Sequence, residues 1–470
     1  VMLAWFAIAP PQTAPPPAEG LPVAAPVSMD ATAISLPANL KGLADADRII
    51  IDTPRLGGTL SLFGGRIDDL HLKDYTEKID EGSPIVTLLK PENEESAYYA
   101  LNGWAAGQGV GTKDVPDKNT VWSSTATTLS PNSPVTLTWD NKKGLLFKRI
   151  ISVDNEYMFN IEQIVENINA PSAALTPYGS IIRHGKPKDL KGFFILHEGV
   201  IRMSDEIQKW EKYDNITEYD TLSKEKTPGL REEPKDSGWI GFTDHFWMTV
   251  MVPEKPFKLL TMYVPSDDTY QTDAYQTQKI VGRGETVSVK SQFFAGAKEW
   301  DLIRKYQNEG GINKFLETID WGWPTTKFLA KPIFWLLFTL NSYIGNMGWS
   351  IICLVLVIKA LLLPLAYKSY VSMARMKELQ PEMEKLKESA GDDKQKMQKG
   401  MMELYKKNKV NPAAGCLPIL PQIPIFFSLY KVIFVTIEVR HASWFGPFND
   451  LSAPDPTSIM NFFGLLPWGT

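Results

Sequence analysis

The sequence predicts a mixed fold: a large antiparallel β sandwich, followed by an α-helical membrane region that carries a helical hairpin. Three observations support this prediction. Short runs of alternating apolar and polar residues, separated by turn residues, fill the chain from about 48 to 297. An apolar run with a single charge follows at 349–367. A block rich in Lys and Arg comes next, and such a block beside an apolar run is typical of a cytoplasmic loop.

The N-terminal residues 2–9 are apolar but too few to span a bilayer, which needs about 20 residues. We interpret residues 1–9 as the remnant of an N-terminal transmembrane anchor, with the tail of a signal peptide as the alternative. Residues 10–40 are predicted to form a Pro/Ala-rich linker, a composition typical of an extended tether. The first residue is Val and the last residues contain no helix stop, so we expect a fragment of a longer protein.

The β domain is predicted at 41–298. Gly, Pro, Asn and Asp separate its candidate strands, which favours an antiparallel sandwich over a parallel α/β sheet. The clearest candidate strands are 59–63, 135–139, 147–153, 158–164, 248–252, 259–264 and 286–293. The polar, charged stretch 209–235 is predicted to be a long surface excursion.

Apolar residues at helical spacing predict a connecting helix at 299–320. The next segment, 321–345, is rich in Trp, Phe and Leu, is interrupted by Pro324 and Pro332, and carries two lysines. This composition predicts an amphipathic helix that lies in the membrane interface, where aromatic side chains are enriched.

Two transmembrane helices are predicted, at 346–372 and 411–436, with a helical hairpin at 373–410 between them. From 368 to 409 there are eleven Lys/Arg and seven Asp/Glu, a local charge of +4 within a chain of net charge −5. This excess of Lys and Arg predicts that the hairpin is cytoplasmic and the β domain external. Residues 437–470 are predicted to form an external loop that leads into a truncated core.

Lys359 is the eleventh residue of the 19-residue run 349–367 and its only charge. A lysine near the bilayer centre costs about 2.5–3.5 kcal/mol, so it usually faces a water-filled cavity or a partner. The alternative is that its side chain reaches the headgroups. Because the next cation, Lys368, is about 13 Å away at helical rise, we favour a functional charge that attracts an acidic group.

The second predicted span contains Pro418, Pro421 and Pro424 with Gln422 among apolar residues. A kinked helix with only a packing role explains this pattern most simply. The functional alternative is an apolar contact surface beside a groove. Its candidate residues are Ile423, Phe426, Phe427 and Tyr430.

The hairpin begins near Arg375 and turns at Asp392 and Asp393, with apolar stripes on two helical patterns. Its charged faces are explained by solvation alone. The functional alternative is a landing site for ribosomes, nascent chains or anionic lipid, and charge does not distinguish these.

Enzymatic chemistry is not indicated by the sequence. The five histidines lack metal-ligand spacing, and neither a phosphate loop nor a nucleophile elbow is present. The adjacent pairs His197-Glu198 and Asp244-His245 are more readily explained as structural pairs. The two cysteines, Cys353 and Cys416, lie in apolar runs and suggest neither a disulfide framework nor a metal site.

An ordered series of motifs runs through the helical part, and two looser ones lie in the β domain. The motifs of the helical part are GNMGWSII (345–352), KALLLPL (359–365), SMARM (372–376), LQP (379–381), GDDKQ (391–395), MMELYK (401–406), VNP (410–412), GCLP (415–418) and QIPIF (422–426). The looser ones are GGRI (64–67) and SGWIGF (237–242). On these motifs the chain resembles the YidC/Oxa/Alb family of membrane insertases, in its Gram-negative form, over almost its whole length.

The resemblance implies a periplasmic β-supersandwich, an interfacial helix, and a five-helix core around a hydrophilic groove. In this family a positive residue, usually Arg, draws in the acidic part of a substrate, and an apolar slide guides the transmembrane segment into lipid. Lys359 resembles that groove charge, although Lys lacks the bidentate fork of Arg. Ile423, Phe426 and Tyr430 resemble the slide, and Gln422 a polar residue of the groove. The family's last three helices have no counterpart in this sequence, so the implied function is that of an intact parent.

The resemblance further implies a chaperone and insertase for inner-membrane proteins that works alone or with the Sec translocon. The expected location is the bacterial inner membrane, as a multi-pass protein with a large periplasmic domain. The expected partners are nascent membrane proteins, the lipid bilayer, Sec translocon subunits and, through the hairpin, the ribosome. No cofactor, metal, enzymatic activity or direct contact with nucleic acid is expected.

The sequence is also compatible with two other functions. The β-supersandwich also resembles sugar-mutarotase-like folds, which suggests a membrane-tethered carbohydrate-binding or mutarotase-like protein. Its candidate stacking residues are Trp104, Trp122, Trp210, Trp239 and Trp247. A scaffold that holds membrane partners together is the third possibility. Lys359 and the hairpin favour the insertase, because periplasmic sugar chemistry needs neither.

Overall fold

The computed structural model describes residues 47–193, 196–322, 324–391, 393–408, 410, 418–445, 448 and 450–452. Several predictions fall outside these residues. They concern the anchor (1–9), the linker (10–40), Asp392, Cys416 and much of the loop 437–470.

Nineteen strands occur among the described residues. They are β1 Arg48–Asp52, β2 Leu56–Ser61, β3 Arg66–Thr76, β4 Ile85–Leu89, β5 Tyr98–Ala106, β6 Thr128–Leu129, β7 Val135–Asp140, β8 Leu145–Val153, β9 Met158–Asn167, β10 Ala173–His184, β11 Gly199–Ser204, β12 Ile207–Lys212, β13 Gly229–Glu232, β14 Gly238–Thr243, β15 Trp247–Pro253, β16 Phe257–Val264, β17 Thr269–Gln276, β18 Lys279–Val281 and β19 Thr286–Ala297.

The strands form two sheets. One has eleven strands in the order β13-β16-β17-β10-β5-β3-β2-β1-β6, with β18 paired to β10 and β4 paired to β3. The other has eight strands in the order β12-β11-β14-β15-β19-β9-β8-β7. Neighbouring strands are antiparallel, apart from the short parallel pair β1 and β6. The predicted antiparallel β sandwich, followed by helices, is therefore confirmed.

Alternation along the strands builds the core between the sheets. In β8 every second residue from Leu145 to Val153 is buried, which is the period of a strand with one face inward. The sheets approach closely where Gly179 of β10 meets Met251 of β15. A Cβ at Gly179 would lie 2.9 Å from the Met251 Sδ atom, so glycine allows this contact.

The stretch 209–235 lies mostly at the surface, as its polarity predicted, but it has regular structure. It contains the end of β12, a short helix and β13. The helix places Tyr213 and Ile216 in the core, at 2 % and 0 % exposure. The Tyr213 ring meets that of Tyr270 with centroids 4.8 Å apart. Two apolar anchors are enough to fold this segment onto the sandwich, although charged residues outnumber them.

Seven α-helices are described. They are α1 Tyr213–Thr217, α2 Trp300–Asn308, α3 Pro324–Ile344, α4 Met347–Glu378, α5 Gln380–Ala390, α6 Lys394–Lys407 and α7 Ile419–Val435. Short 3-10 turns occupy Thr112–Asp114, Pro265–Asp267, Phe315–Thr318 and Ile437–Val439.

Helix α3 has one face against the β domain and one face exposed. Phe334 is 2 % exposed and lies against the ring of Trp300 in α2, with centroids 5.7 Å apart. On the other face Phe328 and Trp335 are 81 % and 56 % exposed. Aromatic side chains thus lie on both faces of α3, and the interfacial position predicted for 321–345 stays a prediction.

Helix α4 is the one helix in the described part of the chain that is long and apolar enough to cross a membrane. It begins at a cap in which the Asn346 side chain accepts a hydrogen bond from the Trp349 backbone N–H, at 3.2 Å. It continues past Pro364 to Glu378, six residues beyond the predicted end at 372. The helix ends where Pro381 enters the first turn of α5, a position that proline tolerates.

Helix α7, Ile419–Val435, lies in the described part of the span predicted at 411–436. Its seventeen residues make it an apolar helix below the length of a typical span. It begins after Pro418, with Pro421 in its first turn, where the missing N–H would have had no partner. Pro424 lies inside the helix, and residues 411–417 are outside the described part.

Candidate functional site

Lys359 lies in the middle of α4 on an exposed, apolar helix. Leu356 and Leu361 beside it are 62 % and 74 % exposed. Within the described residues, Lys359 forms no ion pair. The ammonium group of Lys359 is therefore exposed at the surface of the folded chain, and no carboxylate of the described residues neutralises it.

One face of α7 carries the predicted contact residues. Ile423, Phe426 and Tyr430 are 44 %, 59 % and 38 % exposed, and their spacing of three and four residues places them on one side of a helix. The rings of Phe426 and Tyr430 are stacked, with centroids 6.4 Å apart and an angle of 6° between planes. Phe434 continues this row, 6.0 Å from Tyr430. Gln422 is partly exposed beside it.

Helix α3 connects the two candidate elements, because both α4 and α7 pack against it. Direct packing between α4 and α7 is sparse in the described structure. Lys359 and the apolar face of α7 are thus placed on separate helices around a shared neighbour. The structure does not bring them into hydrogen-bond or ion-pair contact among the residues it describes.

A second lysine, Lys431 of α7, has the opposite environment. It is 5 % exposed, and its Nζ atom lies 2.5 Å from Oδ2 of Asp320, just before α3. The same carboxylate accepts the backbone N–H of His197 at 2.9 Å, and its other oxygen accepts that of Gly322 at 2.9 Å. A buried, saturated carboxylate thus anchors the last turns of α7 to the β domain.

Two further contacts hold the same end of α7. The Nε2 atom of His245 donates to the backbone oxygen of Phe434 at 2.7 Å, and the two rings stack with centroids 4.8 Å apart. Burial lowers the pKa of His245 to about 4, so the ring is neutral at pH 7. Just beyond the helix, Arg440 donates to the backbone oxygen of Thr76 at 2.6 Å. We call these contacts, with Lys431–Asp320, the α7 latch.

The hairpin residues occupy different positions from one another. Arg375 lies in the last turn of α4, because that helix extends into the predicted hairpin. Asp393 caps α6, where its side chain accepts the backbone N–H groups of Gln395 and Lys396, both at 3.0 Å. Asp392 is outside the described residues. Asp393 thus caps a helix, and Arg375 is an exposed residue near the end of another.

The adjacent His and carboxylate residues do not form acid/base pairs. The Glu198 side chain accepts the backbone N–H of Lys191 at 2.9 Å, and the His197 ring contacts the backbone oxygen of Val200 at 3.1 Å. Asp244 instead accepts two hydrogen bonds from Arg183, at 2.8 and 3.0 Å. All four side chains thus have structural contacts with other residues rather than with each other.

The proposed sugar-stacking tryptophans are mostly inside the sandwich. Trp104, Trp122 and Trp239 are 2 %, 2 % and 1 % exposed. A ring with so little accessible area cannot form a stacking surface for a sugar. No group of residues suited to a metal ion occurs in the described part of the chain.

Sequence reasoning missed the α7 latch. Lys431 was visible as a charge in an apolar segment, the same signal that drew attention to Lys359. Its partner Asp320 lies in another domain segment, and no periodicity connects the two. Only the tertiary structure separates the exposed lysine from the buried one.

Comparisons with known proteins cover nearly the whole chain. The family model described as the YidC periplasmic domain matches residues 48–336, and that described as the 60Kd inner membrane protein matches residues 339–467. The membrane protein insertase YidC of Roseobacter denitrificans is 54 % identical, over 100 % of this chain and 80 % of the relative. That of Ruegeria sp. is 57 % identical, over 87 % of this chain and 68 % of the relative.

Solved structures overlap weakly with this chain. A crystal structure of an active YidC insertase has 16 % identity and a TM-score of 0.31, covering 89 % of this chain and 81 % of that one. A galactose mutarotase related enzyme from Lactobacillus acidophilus has 11 % identity and a TM-score of 0.35, covering 53 % and 97 %. The family assignment rests on the sequence relatives and the family models.

Proposed function

Because the chain belongs to the YidC family of membrane protein insertases, we propose that it transfers transmembrane segments of nascent proteins from water into lipid. Lys359 of α4 would attract the acidic end of the incoming segment. The exposed face of α7, formed by Ile423, Phe426 and Tyr430, would then contact the apolar part. The observation that carries this proposal is the unpaired, exposed ammonium group in the middle of an apolar helix.

The electrostatic part of the reaction follows from the surroundings of Lys359. A carboxylate 4 Å from an ammonium group gains about 4 kcal/mol at an effective dielectric constant of 20. That attraction offsets part of the cost of drawing an acidic segment into the membrane. Because Lys359 has no ion pair within the described chain, its charge can interact with a carboxylate of the substrate.

The apolar part needs no nucleotide. A transmembrane segment of about 20 apolar residues gains free energy when it leaves water for lipid. The stacked rings of Phe426 and Tyr430 offer an apolar surface beside which such a segment loses water in steps. Gln422, one turn before Phe426, supplies a polar contact on the hydrophilic side of the path.

The finer partners and the location belong to the same proposal. We place the protein in the bacterial inner membrane as a multi-pass protein with its β domain in the periplasm, acting as insertase and chaperone alone or with Sec translocon subunits. The basic hairpin α5–α6 would receive the ribosome or the nascent chain. What supports this is the excess of Lys and Arg over Asp and Glu in 368–409.

The test uses the intact protein in cells depleted of their own insertase. Lys359→Ala should impair membrane insertion of a substrate with an acidic external segment, and Lys359→Arg should preserve it because the charge remains. Lys368→Ala is the matched control, since it removes an exposed lysine from the hairpin side of the same helix. Normal insertion by Lys359→Ala, at normal protein abundance, would refute the role of this charge.

A further inference from the structure

We propose that a cavity between the β domain, α3 and α7 binds the phosphate of an anionic phospholipid headgroup. The cavity has a volume of about 320 Å³, which is many times the ~30 Å³ share of one water molecule. It is lined by residues of all three elements, including Trp210 of β12, Lys327 of α3 and Phe427 of α7. The proposal concerns a site separate from Lys359 and does not depend on the role of that residue.

Ion pairs around this cavity leave an excess of positive charge. Glu317 pairs with two lysines of α3, with Lys327 at 2.6 Å and with Lys331 at 2.8 Å. Asp320 pairs with Lys431 at 2.5 Å. Three ammonium groups therefore share two carboxylates, and both carboxylates line the cavity.

Lys212 adds a fourth ammonium group to the cavity wall. His197 also lines the cavity, but burial lowers its pKa to about 4, so it contributes no charge at pH 7. The cluster around the cavity thus carries about two positive charges more than negative ones. A bound anion would balance them, and an oxygen-rich phosphate matches several ammonium donors at once.

The position of the cavity along α7 fits the headgroup level of a bilayer. The seventeen residues of α7 extend over about 26 Å, close to the ~30 Å thickness of the hydrocarbon layer. Lys431 is four residues from the end of the helix at Val435, about 6 Å from that end. If α7 crosses the hydrocarbon layer, the Lys431 side of the cavity therefore lies near the external headgroups.

The walls of the cavity suit a lipid rather than a free ion. Phe427 is 42 % exposed and lies at the side of the cavity toward α7, where it can contact acyl chains. Trp210 and Trp321 are further lining residues, and tryptophan is enriched at headgroup level. Charged groups inside and an exposed aromatic ring at the membrane side match the two ends of a phospholipid.

The experiment titrates the intact protein in detergent with phosphatidylglycerol, phosphatidylcholine or inorganic phosphate, and measures bound lipid by native mass spectrometry. The variant is Lys212→Gln with Lys327→Gln. It leaves Glu317 paired with Lys331 and Asp320 paired with Lys431, so the ion pairs that support the fold remain. The matched control is Lys142→Gln with Lys143→Gln, two exposed lysines of the β domain.

The cavity variant should bind phosphatidylglycerol about 30-fold more weakly, because each lysine near a headgroup contributes about fivefold. The control should bind it as the unmodified protein does. The proposal is overturned if both variants lose affinity equally, or if neither does. It is also overturned if phosphatidylcholine binds as tightly as phosphatidylglycerol, or if inorganic phosphate at the same concentration displaces the lipid.

Discussion

Replacing Asp320 by Asn removes the negative charge that Lys431 meets in the α7 latch and keeps a side chain of nearly the same shape. Asn can still accept the backbone N–H of Gly322 or of His197, so the main loss is electrostatic. Lys431 is 5 % exposed and would lose the carboxylate that it meets at 2.5 Å. Removing one partner of a buried ion pair costs about 3–5 kcal/mol.

For Asp320→Asn we expect a cost at the lower end of this range of about 3–5 kcal/mol. The cavity beside Lys431 allows water to reach the ammonium group, which reduces the cost of leaving it unpaired. A loss of about 3 kcal/mol raises the population in which α7 is detached by roughly 100-fold, since 1.4 kcal/mol corresponds to a factor of ten. The helix end should open without unfolding the sandwich, because the core between the two sheets is unchanged.

Hydrogen exchange of the intact protein in detergent measures this opening directly. Backbone amides of residues 432–435 should exchange about 100-fold faster in Asp320→Asn than in the unmodified protein. Adding Lys431→Met should restore most of the protection, because no uncompensated charge remains. Asp140→Asn is the control, since its pair with Lys142 is exposed and worth at most about 1 kcal/mol. An increase below about threefold in Asp320→Asn would refute the latch.

Two further predictions concern a helix cap and a buried carboxyl group. Asp393→Ala should destabilise α6 by about 1 kcal/mol, because two capping hydrogen bonds are lost. The hydrogen-exchange rates of the backbone amides in the first turn of α6 should then rise. Asp393→Asn should leave these rates nearly unchanged. Burial, together with the nearby Glu299, raises the pKa of Glu438 to about 8. A carboxyl group with a raised folded-state pKa destabilises the fold increasingly as pH rises from its unfolded value near 4.5 to about 8. Glu438→Gln should therefore nearly match the unmodified protein in stability at pH 4.5 and exceed it by roughly 4 kcal/mol at pH 8. An equal difference at both pH values would contradict this.

The sandwich could be predicted from the sequence because its signal is local. Alternation in β8 and β9 follows from one buried face, and turn residues separate the strands. The order of strands in the sheets could not be predicted. Strand β19 pairs with β9 along nine residues, although much of the domain lies between them in sequence. Such pairing depends on the packing of the whole domain and leaves no pattern in either strand.

The positions of the helix ends could also be predicted only in part from the sequence. Pro418 and Pro421 suggested an interruption within a longer span, and the structure places them at the start of α7, where proline costs little. Pro364 was not used to predict a helix end, and α4 continues beyond it. Lys359 could be singled out by sequence because an isolated charge in an apolar run is conspicuous. Asp320, the partner of Lys431, could not be identified from the sequence, because it lies on a separate segment.

The length of α4 has a mechanical consequence. Its 32 residues form a rod of about 48 Å, whereas the hydrocarbon layer is about 30 Å thick. If α4 crosses this layer along the membrane normal, about 18 Å of the rod projects into water and carries the base of the hairpin. A tilt of about 10° around the membrane-external end would swing that base through about 8 Å, by the same helical geometry. In the proposed topology, a small angular motion of α4 in lipid thus becomes a large displacement at the cytoplasmic surface.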